Sequence, residues 1–411
     1  MVERSKCMNV PEIRFKEFDE EWSENLLEDF FTKVTSKNRK LKYSAVLTNS
    51  AEYGIIGQLD YFDFDVTNSN NIGGYFIVEP DDFVYNPRVS VSAPVGPINR
   101  NRLGYTGIMS PLYLVFKING INKDFLCYYY KTKKWHRFMK LSGNCGARFD
   151  RLSISDDKFV KMPIIHPNNT KEQNQICKVF ENLDDLIEES TLRLVSLKRI
   201  KAASLQCMFP QEGETIPKVR FKGFEEEWIC VLFKEIAYKT GIKNSENLSL
   251  ESYSISNELG FIPQNEQFEN GGTMSKADKR MYYIVSPKSF AYNPARINVG
   301  SLGYYQGERD VIVSSLYEVF KTSDIVDDLF LLYWFKTNIF KRMIEQYQEG
   351  GVRLYFFFDK LQKCQIKVPS LQEQQKIASY FCNLDKQISL QTKRLEKLKQ
   401  IKAACLDKMF V

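Results

Sequence analysis

Arg14 to Trp22 reads RFKEFDEEW, and Arg220 to Trp228 reads RFKGFEEEW. A nine-residue phrase written twice in a chain of 411 residues points to a duplicated domain, and matches further along support this. IVEPDDFVYNP (Ile77 to Pro87) faces IVSPKSFAYNP (Ile284 to Pro294), and FLCYYYKT (Phe125 to Thr132) faces FLLYWFKT (Phe330 to Thr337). Near the end of each copy, EQNQI and IKAASLQCMF face EQQKI and IKAACLDKMF. The spacing between matches drifts little, so the chain is one unit repeated with short insertions.

Each copy alternates two kinds of text. The first, roughly residues 23–165 and 229–368, is dense in aromatic and β-branched residues and broken by Gly, Pro and Asn, the pattern of short strands and turns in an α+β globule. The second opens where a polar N-cap follows proline: Asn169 with Glu172, and Ser370 with Glu373, spaced as capping boxes. Beyond them runs an apolar seam in steps of three and four, Ile176, Phe180, Leu183, Ile187, Leu194 and Leu197, then Ile377, Phe381, Leu384, Ile388, Leu395 and Leu398. That period predicts coiled-coil helices about 57 Å long. Ser190 and Gln391 interrupt the seams at matching places, which suits two helices pairing antiparallel about a pseudo-twofold axis. Hence the expected domains are 1–167 and 210–369, with spacer helices at 168–209 and 370–411.

Composition narrows the function. With 43% hydrophobic residues and a net charge of +6 the chain builds real cores and leans towards an anionic partner. No run of eighteen apolar residues occurs, so a cytoplasmic protein without a membrane span is expected. Nine cysteines lie scattered without a C-x-x-C pair, which argues against a zinc site or a disulfide framework. Only two histidines occur, His136 and His166, and neither has a nucleophile motif beside it. No phosphate-binding glycine motif is present, and no catalytic residue, metal site or cofactor site is expected in this chain.

Binding residues are easier to nominate. KVTSKNRK and YKTGIKNSEN are expected to follow the first helix of each copy. They supply Lys33, Ser36, Lys37, Asn38, Arg39 and Lys40, then Lys239, Thr240, Lys243 and Asn244, residue types that grip phosphates or read base edges. KTKKWHRFMK and KTNIFKRM add Lys133, Lys134, Arg137, Lys341 and Arg342. Arg148 and Arg353 recur after a glycine, and the dissimilar segments NRNRLGY and NVGSLGYYQGER contribute Arg100, Arg102 and Tyr304. A shared frame with divergent loops is what two modules reading different sequences need. Two other readings stay open: a self-contained DNA-modifying enzyme, and a coiled-coil adaptor that reads no DNA.

The duplicated layout, the proline followed by EQ-x-x-I at each helix start, NLD at Asn182 and Asn383, and the L-x-x-L-K endings resemble the specificity subunit of Type I restriction-modification systems. The resemblance covers essentially the whole chain. It implies an α+β protein with two target recognition domains separated by two long antiparallel coiled-coil helices. It also implies a non-catalytic chain that binds a bipartite, asymmetric double-stranded DNA target. Two modification (methyltransferase) subunits and two restriction (translocase and nuclease) subunits are the implied partners, and they would carry S-adenosylmethionine, ATP and Mg. By the same analogy Leu183, Leu194, Leu197, Leu384, Leu395 and Leu398 form the helix pair. The tails Ile200 to Phe209 and Ile401 to Phe410 would help to hold the modification subunits.

Overall fold

The computed structural model describes residues 9–61, 69–144, 150–257, 259–267, 278–351 and 353–411. Two long helices, Thr170–Cys207 and Leu371–Lys408, are its dominant elements. Contacts divide the chain into two units, Met1–Thr191 with Arg394–Val411, and Leu192–Lys393. The cuts fall inside both helices, so each unit owns the start of one helix and the end of the other, whereas the expected boundaries kept each helix whole.

The first unit is built on a four-stranded antiparallel sheet ordered Phe31–Lys33, Leu114–Ile118, Phe83–Tyr85, Ile98–Arg100. The second repeats it with Ala237–Lys239, Glu318–Thr322, Ser289–Tyr292 and Leu302–Tyr305. Matching register puts Phe83 opposite Phe116 and Phe290 opposite Phe320, with rings stacked at 5.7 and 5.0 Å. Each fully buried phenylalanine contributes roughly 1.5–3 kcal/mol, and such rings dominate both main cores.

A second sheet lies in each unit. In the second unit its order is Ile242–Lys243, Tyr283–Val285, Val311–Val313, Ser252–Ser256, Gly260–Pro263, with one parallel pair. The first unit follows the same path in pieces: the ladder of Phe76–Val78 with Gly107–Met109, and the hairpin of Leu47–Ser50 with Gly54–Gly57. Single bridges, Lys37 to Phe76 antiparallel and Val46 to Ile108 parallel, occupy the places of the missing ladders.

The repeated phrase now has its physical reason. Arg14 donates from Nε and Nη2 to the two carboxylate oxygens of Glu172 at 2.7 and 2.9 Å, and Arg220 does the same to Glu373 at 2.7 and 2.8 Å. Both glutamates are buried at the first turn of a long helix. A planar guanidinium satisfies both oxygens at once, and the helix N-terminus favours the negative charge. The capping-box expectation is therefore half corrected: Asn169 does cap, accepting from the Lys171 N–H at 2.9 Å, but Glu172 turns to Arg14 rather than back to its own N-cap. Trp22 adds a third bond to Glu172 at 3.1 Å, whereas the buried Trp228 indole N–H has no partner among the described residues.

The neighbouring glutamines do a second job. Gln173 accepts from the Asn122 N–H at 2.9 Å and donates to the Pro167 carbonyl at 2.8 Å. Gln374 accepts from the Asp327 N–H at 2.8 Å and donates to Pro369 at 2.9 Å. Since Asn122 and Asp327 are the N-caps of Lys123–Tyr130 and Asp328–Trp334, each EQ pair ties its long helix to the globule in front of it.

Within the first unit the helix start and the borrowed helix end run antiparallel: Phe180 lies 5.8 Å from Phe410, and Asp184 meets Lys402. The second unit repeats this, with Phe381 at 6.1 Å from Phe209 and Asp385 meeting Lys201. Along the seams Ile176, Phe180, Ile377, Phe381, Leu384 and Leu395 are buried, as are Ser190 and Gln391. Leu183, Leu194, Leu197 and Leu398 are half-buried, while Ile200 and Ile401 lie exposed outside the packed stripe. One expectation changes here. The ends of both tails, Met208 with Phe209 and Met409 with Phe410, are buried in the cores and are not available to a partner subunit.

Candidate nucleic-acid interface

A basic turn follows Phe31–Lys33 in the first unit. Ser36, Lys37, Arg39 and Lys40 are exposed there. Asn38, expected to touch DNA, is instead buried: its Oδ1 accepts from the Tyr43 N–H at 3.1 Å and its Nδ2 donates to the Tyr43 carbonyl at 2.8 Å. Asn244 is corrected for the same reason, closing onto both backbone groups of Leu248 at 2.9 and 3.1 Å. The two asparagines shape their loops and leave the charges, Arg39, Lys40 and the exposed Lys243, to face outward.

Ion pairs absorb other candidates. Lys33 pairs with Asp156 and Lys239 with Glu318, while the Thr240 hydroxyl is buried. Arg100 is corrected to a structural role, because its guanidinium bonds Asp81 at 2.8 Å and Asp124 at 3.0 Å with little exposure. Tyr304 occupies the equivalent strand position and is corrected likewise, donating to Asp328 at 2.7 Å. Both therefore bind a first-turn aspartate of the helix that follows, one as an ion pair and one as a phenol. Arg102 also reaches Asp124 but stays exposed.

Lys133, Lys134 and Arg137 are exposed around the start of the helix His136–Ser142. Burial, reinforced by the charges of Lys140 and Lys133, lowers the His136 pKa. Lys341 and Arg342 lie exposed on Asn338–Tyr347, Arg342 at 3.3 Å from Glu212, and Arg353 is exposed after Gly351. Arg148 lies outside the described residues.

Sequence reasoning missed one constellation in each unit. Asp184 of the first NLD accepts from the Tyr128 hydroxyl at 3.1 Å and meets Lys402 and Lys131; Asp385 of the second accepts from Tyr333 at 2.8 Å and meets Lys201. Burial pushes the Asp184 carboxyl up, but the hydrogen bond from Lys402 and the charges of Lys131 and Lys402 outweigh it and leave the pKa lowered. Lys131 and Lys336, read within basic runs, thus belong to the helix junctions, 4.7 and 5.2 Å above the Tyr128 and Tyr333 rings. The clue available in sequence was the joint recurrence of Asp, Tyr and Lys at matching places.

Catalytic groupings offer little. His166 is buried, with its ring nitrogens 3.1 Å from the Pro167 carbonyl and 3.2 Å from Asn25 Oδ1. Among the described residues no cluster of three or more His, Cys, Asp or Glu side chains is arranged to hold a metal, and no helix is long and apolar enough to cross a membrane.

Comparison with known proteins agrees with this picture. The family model for the Type I restriction modification DNA specificity domain matches residues 19–199 and 262–400. The Type I restriction enzyme MjaVIII specificity subunit of Methanocaldococcus jannaschii is 20% identical over 322 residues, 74% of each chain. Among solved structures, the Type I restriction-modification S subunit from M. genitalium aligns with a TM-score of 0.54 at 13% identity, covering 98% of this chain and 99% of that one. A chain from a structure of type I R-M complex assembly and conformational transition gives 0.52 at 14% identity, covering 94% and 97%. Two copies of one frame, each locked to a long helix by the same arginine, glutamate and glutamine, and a family model matched in both halves lead to one conclusion: the chain belongs to the Type I restriction-modification DNA specificity family.

Proposed function

We propose that this chain is the sequence-reading subunit of a Type I complex, recognising a two-part, asymmetric duplex target, with each unit reading one part. The observation that carries this is the pairing of one scaffold with unlike surfaces. Both units keep the same four-stranded sheet order and the same Arg-Glu-Gln lock, yet their exposed residues differ. Phosphate contacts position a protein on DNA, whereas base contacts must change with the target. The exposed Arg39, Lys40, Lys133, Lys134 and Arg137, with Lys243, Lys341, Arg342 and Arg353, are assigned to the backbone grip. The two long helices act as an antiparallel coiled-coil spacer related by a pseudo-twofold axis. Methyltransferase and restriction subunits dock on this frame and perform the chemistry with S-adenosylmethionine, ATP and Mg. The chain itself catalyses nothing.

Co-expression with the methyltransferase subunit, followed by a genome-wide map of methylated adenines, tests this reading. A split target with two unlike halves is expected. A palindromic or unsplit target, or methyl transfer by the isolated chain, would overturn it.

A further inference from the structure

The Asn-Pro turn of each unit is braced and carries an arginine. Asn86 Oδ1 accepts from the Arg88 N–H and Asn293 Oδ1 from the Ala295 N–H, both at 3.0 Å, and in the second unit Arg296 follows Ala295 directly. Asn86 also donates through Nδ2 to the Asn49 carbonyl at 2.9 Å, which fixes the first turn against the strand Leu47–Ser50.

A second arginine is brought to this turn. Arg88 and Arg151 are partners in an isolated antiparallel bridge. The Val89 N–H donates to the Asp150 carbonyl and the Leu152 N–H to the Pro87 carbonyl, both at 2.9 Å. These bonds flank the pair rather than join it, and in such a pair the side chains stand closest, with Cβ atoms about 5 Å apart. Register also identifies the matching residue of the other unit. Asn144 bridges Ser153 and Glu349 bridges Tyr355, so Arg151, two residues before its bridge, stands where Arg353 does, the place that the glycine match assigns to Arg148. The strand after Arg353 reaches the second Asn-Pro turn, the Phe356 N–H donating to the Pro294 carbonyl at 3.0 Å.

Leu152, next to Arg151, is buried, so by the alternation of a strand Arg151 turns away from the core. Arg88 is exposed and Arg151 half-buried, and neither guanidinium makes an ion pair or a ring contact with another described residue. Like charges directly opposite destabilise a strand pair. The free chain thus holds two arginines against each other with no acid to compensate them.

We infer that Arg88 and Arg151 form a clamp that closes on one phosphate of the DNA backbone. The inference rests on the DNA-reading function proposed above. Guanidinium forks match phosphate oxygens bidentately, and an anion between the two turns their repulsion into charge-assisted hydrogen bonds. A guanine edge occupies a single arginine and would leave the second uncompensated.

The test titrates the full-length wild-type chain, Arg88→Gln, Arg151→Gln and the double variant with random duplex over a range of salt, and with inorganic phosphate as the alternative anion. Each single variant should weaken duplex binding roughly tenfold, and the double variant should lower the salt slope by about 1, since one phosphate is released. Hydrogen exchange at 86–89 and 150–152 should be no faster in the single variants, because losing one charge ends the repulsion. A wild-type chain without salt-dependent duplex binding would sink the function proposed above. Salt-dependent binding that all three variants share would sink this inference alone. So would a double-variant slope lowered by about 2, which means two separate phosphates, or faster exchange, which would assign the arginines to structure. Protection by inorganic phosphate that the double variant loses while its duplex binding stays at the wild-type level would make the pair a site for a free anion and overturn the clamp.

Discussion

Replacing Arg14 by alanine strands a carboxylate. Glu172 has 2% side-chain exposure and Arg14 11%, so water cannot take over the two bonds at 2.7 and 2.9 Å. Breaking a buried pair by removing one partner costs about 3–5 kcal/mol, most of it the penalty of the charge left behind. Trp22 still donates to Glu172 in that variant, which places the expected loss nearer the lower figure, about 3 kcal/mol. The double variant Arg14→Ala/Glu172→Gln removes the charge and should recover more than half of the loss. Hydrogen exchange read by mass spectrometry is the apt assay, because a chain of two units does not melt in one step. Protection should fall in 9–22 and 170–176 and stay unchanged in 371–377, and Arg220→Ala should show the reverse. An Arg14→Ala chain within about 1 kcal/mol of wild type, or a double variant no better than the single, would refute the reasoning, since the pair would then carry no buried charge worth compensating.

Three further expectations concern separate parts of the molecule. Phe410→Ala should cost the first unit about 3–5 kcal/mol, as its ring packs against Phe125, Tyr129 and Phe180, and Phe209→Ala should weaken the second; thermal unfolding followed by unit-specific proteolysis checks both. Asp184, with its folded-state pKa lowered, stabilises the first unit fully above the unfolded carboxylate value of about 3.9, and that contribution is lost as pH falls through the lower folded value; an acid titration of stability should show Lys402→Met flattening this dependence. Arg39→Ala and Lys243→Ala should each weaken binding to random duplex and lower the salt slope by about 1, while Asn38→Ala should disturb the loop itself; fluorescence titrations at several salt concentrations, beside exchange data, separate the two effects.

Much of the frame was readable from repetition. The matched phrases and the three-four seam announced two copies and two helices, because periodicity and capping chemistry act locally. Where local reasoning went astray, a distant partner was the cause. Glu172 has the spacing of a capping box, yet Arg14, far away in sequence, outbids the backbone amide with a charged fork. Asn38, Asn244, Arg100 and Tyr304 have the chemistry of DNA contacts, and whether a polar side chain faces solvent or a backbone carbonyl is decided by the fold around it.

By itself the amino-acid sequence determined that the chain is doubled, where its long helices begin, and that it lacks a nucleophile motif, since these depend on residue order and near neighbours. Only the tertiary structure decided that each unit is completed by the far end of the other copy's helix, with Phe410 in the first core and Phe209 in the second. Burial of an aromatic ring is worth the same wherever its partners stand in sequence, so no local pattern records which core a tail will enter.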